Sequence, residues 1–187
     1  MDREIIYSIR EQLKECLSEH RYEHTLGVEY TAASLAMRHG ADVYKAELAG
    51  LLHDCAKGYS QEELADLAGD EAYTPNTLHA VCAPIIAQKN FGITDVEILS
   101  AIRWHTTGKA NMALLDKIIF VADFIEPCRD MITILPEIRK SAFDDLTYAV
   151  FRIAAETIPY VEMRKLPMDP HTIECYEYLK ENGIHDR

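Results

Sequence analysis

The chain reads as an all-α protein, a single helical bundle. Apolar residues recur at helical spacing through most of its 187 residues, and helix-capping residues punctuate the repeats. Strand-like alternation between turn signals is missing, as are linkers, internal repeats and low-complexity stretches.

Taken in order, Ile5, Ile6, Ile9, Leu13, Cys16 and Leu17 fall on one stripe and predict the first helix. A second is expected from about Tyr22 to His39, with Val28, Thr31, Ala32 and Leu35 on one face and Gly40 as its stop. Asp42 is placed to cap a third helix carrying Ala46, Ala49 and His53. Ser60 with Glu63, and Thr94 with Glu97, match the capping-box pattern and predict two further starts. Pro75-Asn76-Thr77 opens another helix, which Pro84 should kink or cut short. The most apolar helix is expected from Met112 to Glu126, stopped by Pro127. A long helix follows from about Asp144, and the last has Asp169 as cap, Pro170 at its first position and Gly183 at its end.

One domain over residues 1–187 is expected, because a chain of this length buries a core without staples. The composition, 48% hydrophobic and 27% charged, is that of a soluble globular protein. A net charge of -12 argues against a nucleic-acid or acidic-membrane partner, which would need basic patches. A nucleotide stays open, since a metal pair and a few cations can dominate one pocket. Five scattered cysteines (Cys16, Cys55, Cys82, Cys128, Cys175) suit neither a disulfide framework nor a thiolate zinc site, and point to a reducing compartment. The charged start Asp2-Arg3-Glu4 and the lack of any span-length apolar run lead us to expect a cytoplasmic protein.

Helix projection separates the histidines. His24 shares a face with Val28, Thr31 and Leu35; His79 with Cys82, Ala83 and Ile86; His105 with Ile98, Ala101 and Ile102. Asp123 shares one with Met112, Ile119 and Phe120, and His53-Asp54 closes the apolar run Ala49-Gly50-Leu51-Leu52. His20, His39 and His185 fall near helix ends among polar neighbours. A lone inward histidine is ordinarily a hydrogen-bonded core residue. Six inward His and Asp residues on five helices are not, because a buried carboxylate needs a partner. Convergence on metal is the simpler account.

Four histidines and two aspartates, without cysteine, suit iron, manganese, zinc or cobalt. Six ligands exceed the needs of one open catalytic ion and fit a two-metal hydrolytic site, with Asp54 as the candidate bridge.

His24, the pair His53-Asp54 and Asp123, in that order, resemble the HD-domain metal-dependent phosphohydrolases. The segments Arg21-Tyr22-x-His24-x-x-Gly27-Val28, Leu52-His53-Asp54-x-x-Lys57, Ala101-Ile102-x-x-His105-Thr106-Thr107-Gly108 and Val121-Ala122-Asp123-x-Ile125-Glu126-Pro127-x-Arg129 tighten the match. Together they resemble the YqeK group of bacterial symmetrical diadenosine tetraphosphatases, from about Arg21 to Arg129. The resemblance implies a single HD domain whose metal-site core lies at about 21–129, with C-terminal helices packed on it. It also implies one metal on His24, His53, Asp54 and Asp123, and a second on His79 and His105 with Asp54 bridging. Iron is the metal associated with the group, and hydrolysis of diadenosine tetraphosphate into two ADP is its activity.

On that reading a hydroxide bridging the ions attacks a central phosphate in line and expels ADP. Lys57, one turn after His53, either contacts a phosphate or is a surface lysine at a helix end. Arg21 and Arg129 either fork onto phosphates or pair with carboxylates such as Glu126. Thr106-Thr107-Gly108-Lys109 offers a phosphate cradle or a plain turn. Trp104 stacks on adenine or serves the core. Nucleoside monophosphates, cyclic dinucleotides and alarmones are rival substrates, and a metal-loaded nucleotide sensor without turnover is the non-enzymatic rival. Val150, Ile153, Ile158 and Val161 form an apolar surface for a homodimer or for core packing.

Overall fold

The structure, a computed structural model, describes residues 2–130 and 132–185. Among them are ten α-helices and no strand: α1 (Asp2–Cys16), α2 (Glu19–His39), α3 (Val43–Leu52), α4 (Gln61–Ala68), α5 (Leu78–Phe91), α6 (Val96–Trp104), α7 (Leu114–Ile125), α8 (Leu135–Asp144), α9 (Leu146–Met163) and α10 (Pro170–Glu181). A 3₁₀ turn over Cys55–Gly58 follows α3.

Capping chemistry sets most boundaries. The Ser18 hydroxyl accepts the Arg21 amide and starts α2 earlier than the apolar pattern suggests, and Gly40 ends it in the left-handed region. Asp42 caps α3, the Ser60–Glu63 capping box opens α4, and Asp169 caps α10. The Thr94–Glu97 box does not form. Asp95 takes the cap with its carboxylate on the amides of Glu97 and Ile98, and Glu97 turns instead to Lys45. Pro84 does not cut α5 short, since the helix runs through it to Phe91.

One element escaped the sequence reading. α8 is short, opens with Pro136 in its first turn, and buries only Leu135, Ile138 and Ala142. Asp145 then separates it from α9, the long helix expected from about Asp144.

A single apolar cluster runs from Ile6 of α1 to Leu179 of α10. α2 lies against α3 and α7, α6 against α7, and α9 takes contacts from α7, α8 and α10. The helices that carry or directly precede His24, His53, His105 and Asp123 thus each have a neighbour that fixes their rotation. Val150 and Ile153 belong to this core, with 0% and 2% exposure, so only the half-buried Ile158 and Val161 remain of the suggested apolar surface. The described cysteines are all free. No helix among the described residues is long and apolar enough to cross a membrane.

Candidate metal centre

Five segments deliver six side chains to one spot. His24 comes from the first half of α2, His79 from the first turn of α5 and Asp123 from the last turn of α7. His53 and His105 occupy the positions just after α3 and α6, where each Nδ1 faces the carbonyl three residues back. Those carbonyls belong to Gly50 (2.6 Å) and Ile102 (2.7 Å). A carbonyl only accepts, so Nδ1 carries the proton in both rings and Nε2 presents its lone pair inward. In His24 the Glu126 carboxylate plays this part, 3.0 Å from Nδ1.

The inward atoms would repel one another without a cation among them. His24 Nε2 and His53 Nε2 are 3.3 Å apart, and His79 Nε2 and His105 Nε2 3.2 Å apart. Asp54 lies between the two pairs. Its Oδ2 is 3.6 Å from His53 Nε2 and 4.0 Å from His24 Nε2. Its Oδ1 is 3.4 Å from His79 and 3.5 Å from His105. That Oδ1 is buried without a hydrogen-bond partner, a costly state for a carboxylate oxygen. Asp123 Oδ1 completes the His24 side at 3.1 Å. His24 with His53 and Asp123, and His53 with Asp54 and His105, each present ligand atoms close enough to share one ion. Facing lone pairs, an orphaned carboxylate oxygen and carbonyl-fixed tautomers fit a divalent metal site.

Titration behaviour follows from burial. Desolvation pushes His53 down to about 4 and His79 down to about 3. Burial also acts against the charged form of His24, but Asp123 and Glu126 outweigh it and the pKa rises. The carboxyls of Asp54 and Asp123 sit below the usual range, because the imidazoles and Arg129 overcome the desolvation that would raise them.

These shifts predict how the metal-stripped protein responds to acid. Between about pH 6.5 and the folded values near 4 and 3, the unfolded chain binds two protons that His53 and His79 refuse in the native state. The stability contributed by these two neutral imidazoles is therefore complete above pH 6.5 and is lost progressively as pH drops through that window. His24, with its raised pKa, adds stability that is lost as pH rises through its folded value, so it does not offset the slope below 6.5. Urea midpoints of chelator-treated protein from pH 7 to pH 5 should fall steadily. A flat profile would refute the assignment of two neutral buried imidazoles.

The structure brings Arg21, Arg129, Lys57 and Thr106 to this centre. Arg21 Nη1 donates to Asp54 Oδ2 and Arg129 Nη2 to Asp123 Oδ1, both at 2.7 Å, so the arginines pair with ligand carboxylates rather than with Glu126. Lys57 reaches solvent, yet desolvation beside the two arginines lowers its pKa against the pull of Asp54 and Asp123. The Thr106 hydroxyl lies 2.9 Å from His105 Nε2 and 3.1 Å from His79 Nε2.

The rest of the expected cradle points elsewhere. The buried Thr107 hydroxyl donates to the Gly108 carbonyl, and Lys109 turns to Ser100 and Asp116. Gly108 has φ +65°, and a Cβ there would meet Cys175 Sγ at 2.8 Å, so it serves the packing of α10. Trp104 has Arg103 over its ring at 4.3 Å and His171 against it at 4.9 Å. His20 and His185 are exposed, and His39 Nε2 bonds the Ala142 carbonyl.

Glu126 was legible only as a motif residue. It is 1% exposed, holds His24 with one oxygen and accepts the Cys128 amide with the other at 2.6 Å. Gly27 makes room for it, because a Cβ at position 27 would stand 2.5 Å from Glu126 Oε2. A carboxylate behind a ligand histidine fixes the ring and raises its basicity.

The HD-domain family matches residues 21–127, the segment that carries all six of these side chains. A protein from Halalkalibacterium halodurans named symmetrical bis(5'-nucleosyl)-tetraphosphatase is 40% identical over 89% of this chain and 92% of its own length. One of the same name from Bacillus subtilis is 39% identical over 89% and 93%. A crystal structure from Clostridium acetobutylicum, described as a "predicted HD superfamily hydrolase involved in NAD metabolism", superposes with a TM-score of 0.87 at 37% identity, covering 94% of this chain and 96% of that one. The chain belongs to the HD-domain family and, within it, to the group formed by these symmetrical bis(5'-nucleosyl)-tetraphosphatases.

Proposed function

We propose that this protein hydrolyses diadenosine tetraphosphate symmetrically, consuming one water and releasing two ADP, at a centre that holds two divalent cations. The observation that carries the reading is Asp54, whose Oδ2 faces His24 and His53 while Oδ1 faces His79 and His105. A carboxylate with one oxygen toward each histidine pair is built to bridge. Two divalent ions held by these residues would supply Lewis-acid polarisation of phosphate and a water acidic enough to ionise near neutral pH.

The chain's own groups divide the remaining work. His24, His53, Asp54 and Asp123 would hold one ion, and His79 and His105 the other, with Asp54 contributing to both. Glu126 and the carbonyls of Gly50 and Ile102 keep the imidazole lone pairs aimed inward. Arg21, Arg129 and Asp123 are partly exposed, at 34%, 39% and 20% of their side chains, and with the exposed Lys57 they mark the side on which the polyphosphate would enter. There the two guanidiniums and Lys57 offset its charge, and Thr106 offers a hydroxyl at the His79–His105 side. Iron is the metal the family resemblance implies, and the all-nitrogen-and-oxygen donor set accepts it.

The test is product identification on purified protein with elemental analysis of the same sample. ADP should be the nucleotide product, and complete chelation should abolish its formation until a divalent ion is returned. ATP with AMP would place cleavage at the wrong anhydride, and undiminished turnover after chelation would refute the metal centre.

A further inference from the structure

The His79–His105 half of the centre is held from outside the segment that matches the HD family. α10 begins with Asp169, whose carboxylate has two separate tasks. Oδ1 accepts the His171 amide and the His171 ring Nδ1, at 3.1 and 3.0 Å, and so caps its own helix. Oδ2 accepts the Thr77 hydroxyl at 3.0 Å, across 92 residues of sequence. Thr77 occupies the N-cap position of α5, two residues before His79, and is 5% exposed. Its oxygen also accepts the Thr74 amide at 2.9 Å, which ties down the approach to the helix.

The same first turn of α10 reaches the other histidine. The His171 ring packs on Trp104, with centroids 4.9 Å apart, and Trp104 is the last residue of α6, directly before His105. Asp169 therefore grips the segment that delivers His79, and its partner His171 grips the segment that delivers His105. Among the described residues no side chain of α10 bonds to His24, whose ring is held by Glu126; there it is Arg139 of α8 that reaches in, donating to the Glu126 carbonyl at 2.8 Å.

We infer that Asp169, acting through Thr77 and His171, is a positioning residue for the His79–His105 half, so that α10 sets the affinity of one ion of the pair and not the other. The inference rests on the two-ion reading. Hydrogen bonds that orient ligands typically change metal affinity by about 10–100-fold, although here the contact is with a neighbour of the ligand rather than with the ligand itself.

Asp169→Asn and Thr77→Val separate this role from simple helix capping. Asparagine remains a good N-cap but presents an N–H donor to Thr77 in place of a charged acceptor, so the Thr77 proton loses its partner and the contact is weakened, while Thr77→Val removes it outright. Valine keeps the shape of threonine without the hydroxyl, and Thr77→Ser restores the donor. The probe is Mn²⁺, titrated calorimetrically into the metal-stripped full-length chain, with thermal unfolding of each stripped variant alongside.

The expected result is two ions on the parent and on Thr77→Ser. On Asp169→Asn and Thr77→Val one ion should bind about 10-fold or more weakly while the other keeps its affinity, with the unfolding midpoint of stripped protein nearly unchanged. Two ions at parental affinity on both variants would overturn the inference alone. Equal weakening of both ions, or loss of binding in step with a fallen midpoint, would also overturn it by making the effect general destabilisation. A parent that takes up fewer than two ions would overturn the two-ion reading and this inference with it.

Discussion

Asp54→Ala is expected to reduce bound metal from two ions to at most one, and to lower turnover by at least about 10³-fold. The figure follows from what the residue does. Removing a single donor to transition-state charge commonly costs 10²–10³-fold. Asp54 would forfeit ligation on both sides of the centre at once. Asp54→Asn is the sharper variant, because it keeps the shape and removes only the charge and one acceptor. Circular dichroism should show both variants folded, since the side chain lies among polar groups at a helix junction and not in the apolar cluster. Metal stoichiometry and ADP release measured on the same preparation give the answer. Asp54→Asn with two ions and parental turnover would sink the bridging role. Replacing His53 should be milder in stoichiometry, removing a ligand from one ion while leaving the bridge.

The largest effect on stability is expected far from the chemistry. Glu29 is fully buried in α2, and Arg10 of α1 grips it with a two-pronged contact, Nε to Oε2 at 2.9 Å and Nη2 to Oε1 at 2.7 Å. Arg10→Ala leaves that carboxylate buried and unpaired, which costs about 3–5 kcal/mol. A domain has about 5–15 kcal/mol in total, so much of the stability would go. Arg10→Lys should recover only part, since an ammonium cannot reproduce the fork. Burial raises the Glu29 pKa even with Arg10 present. An acid with a raised folded pKa contributes less stability as pH rises, so the Arg10→Ala penalty should grow from pH 5 to pH 8. Urea unfolding at the two pH values measures this. A penalty below about 1 kcal/mol, or one that shrinks toward alkaline pH, would mean that water or another cation replaces the guanidinium. Arg10→Met with Glu29→Leu should restore most of the loss, because paired apolar replacements of a buried ion pair are often neutral.

The helices were legible wherever a local rule sets them. Apolar spacing, Gly40, Asp42, the Ser60–Glu63 box and Asp169-Pro170 each act within a turn of chain and do not depend on the rest of the fold. Reading failed where two local rules competed. Thr94 and Asp95 both offer an N-cap, and the structure uses the aspartate. α8 hid because a proline in its first turn reads as a break when no neighbouring helix is there to compensate.

At the candidate metal centre, composition and helix face were enough to predict the convergence of His24, His53, His79, His105, Asp54 and Asp123, apart from His20, His39 and His185. An inward-facing ionisable group is visible from periodicity alone. His171 went unsorted, because nothing within its own turn shows what it packs against. The four-residue run after His105 was read as one unit, yet only Thr106 turns inward. A loop has no period from which to infer direction, and Gly108 answers to Cys175 on α10.

The identity of the inward side chains therefore belongs to the sequence, since amphipathic spacing is a property of one helix at a time. Which oxygen of Asp54 meets which histidine pair, that Glu126 stands behind His24, and that Asp169 reaches back to Thr77 are decisions of the assembled fold. Each is a contact between segments 92 or 102 residues apart or a choice between two atoms of one carboxylate. Spacing along a helix cannot encode such choices; only packing can make them.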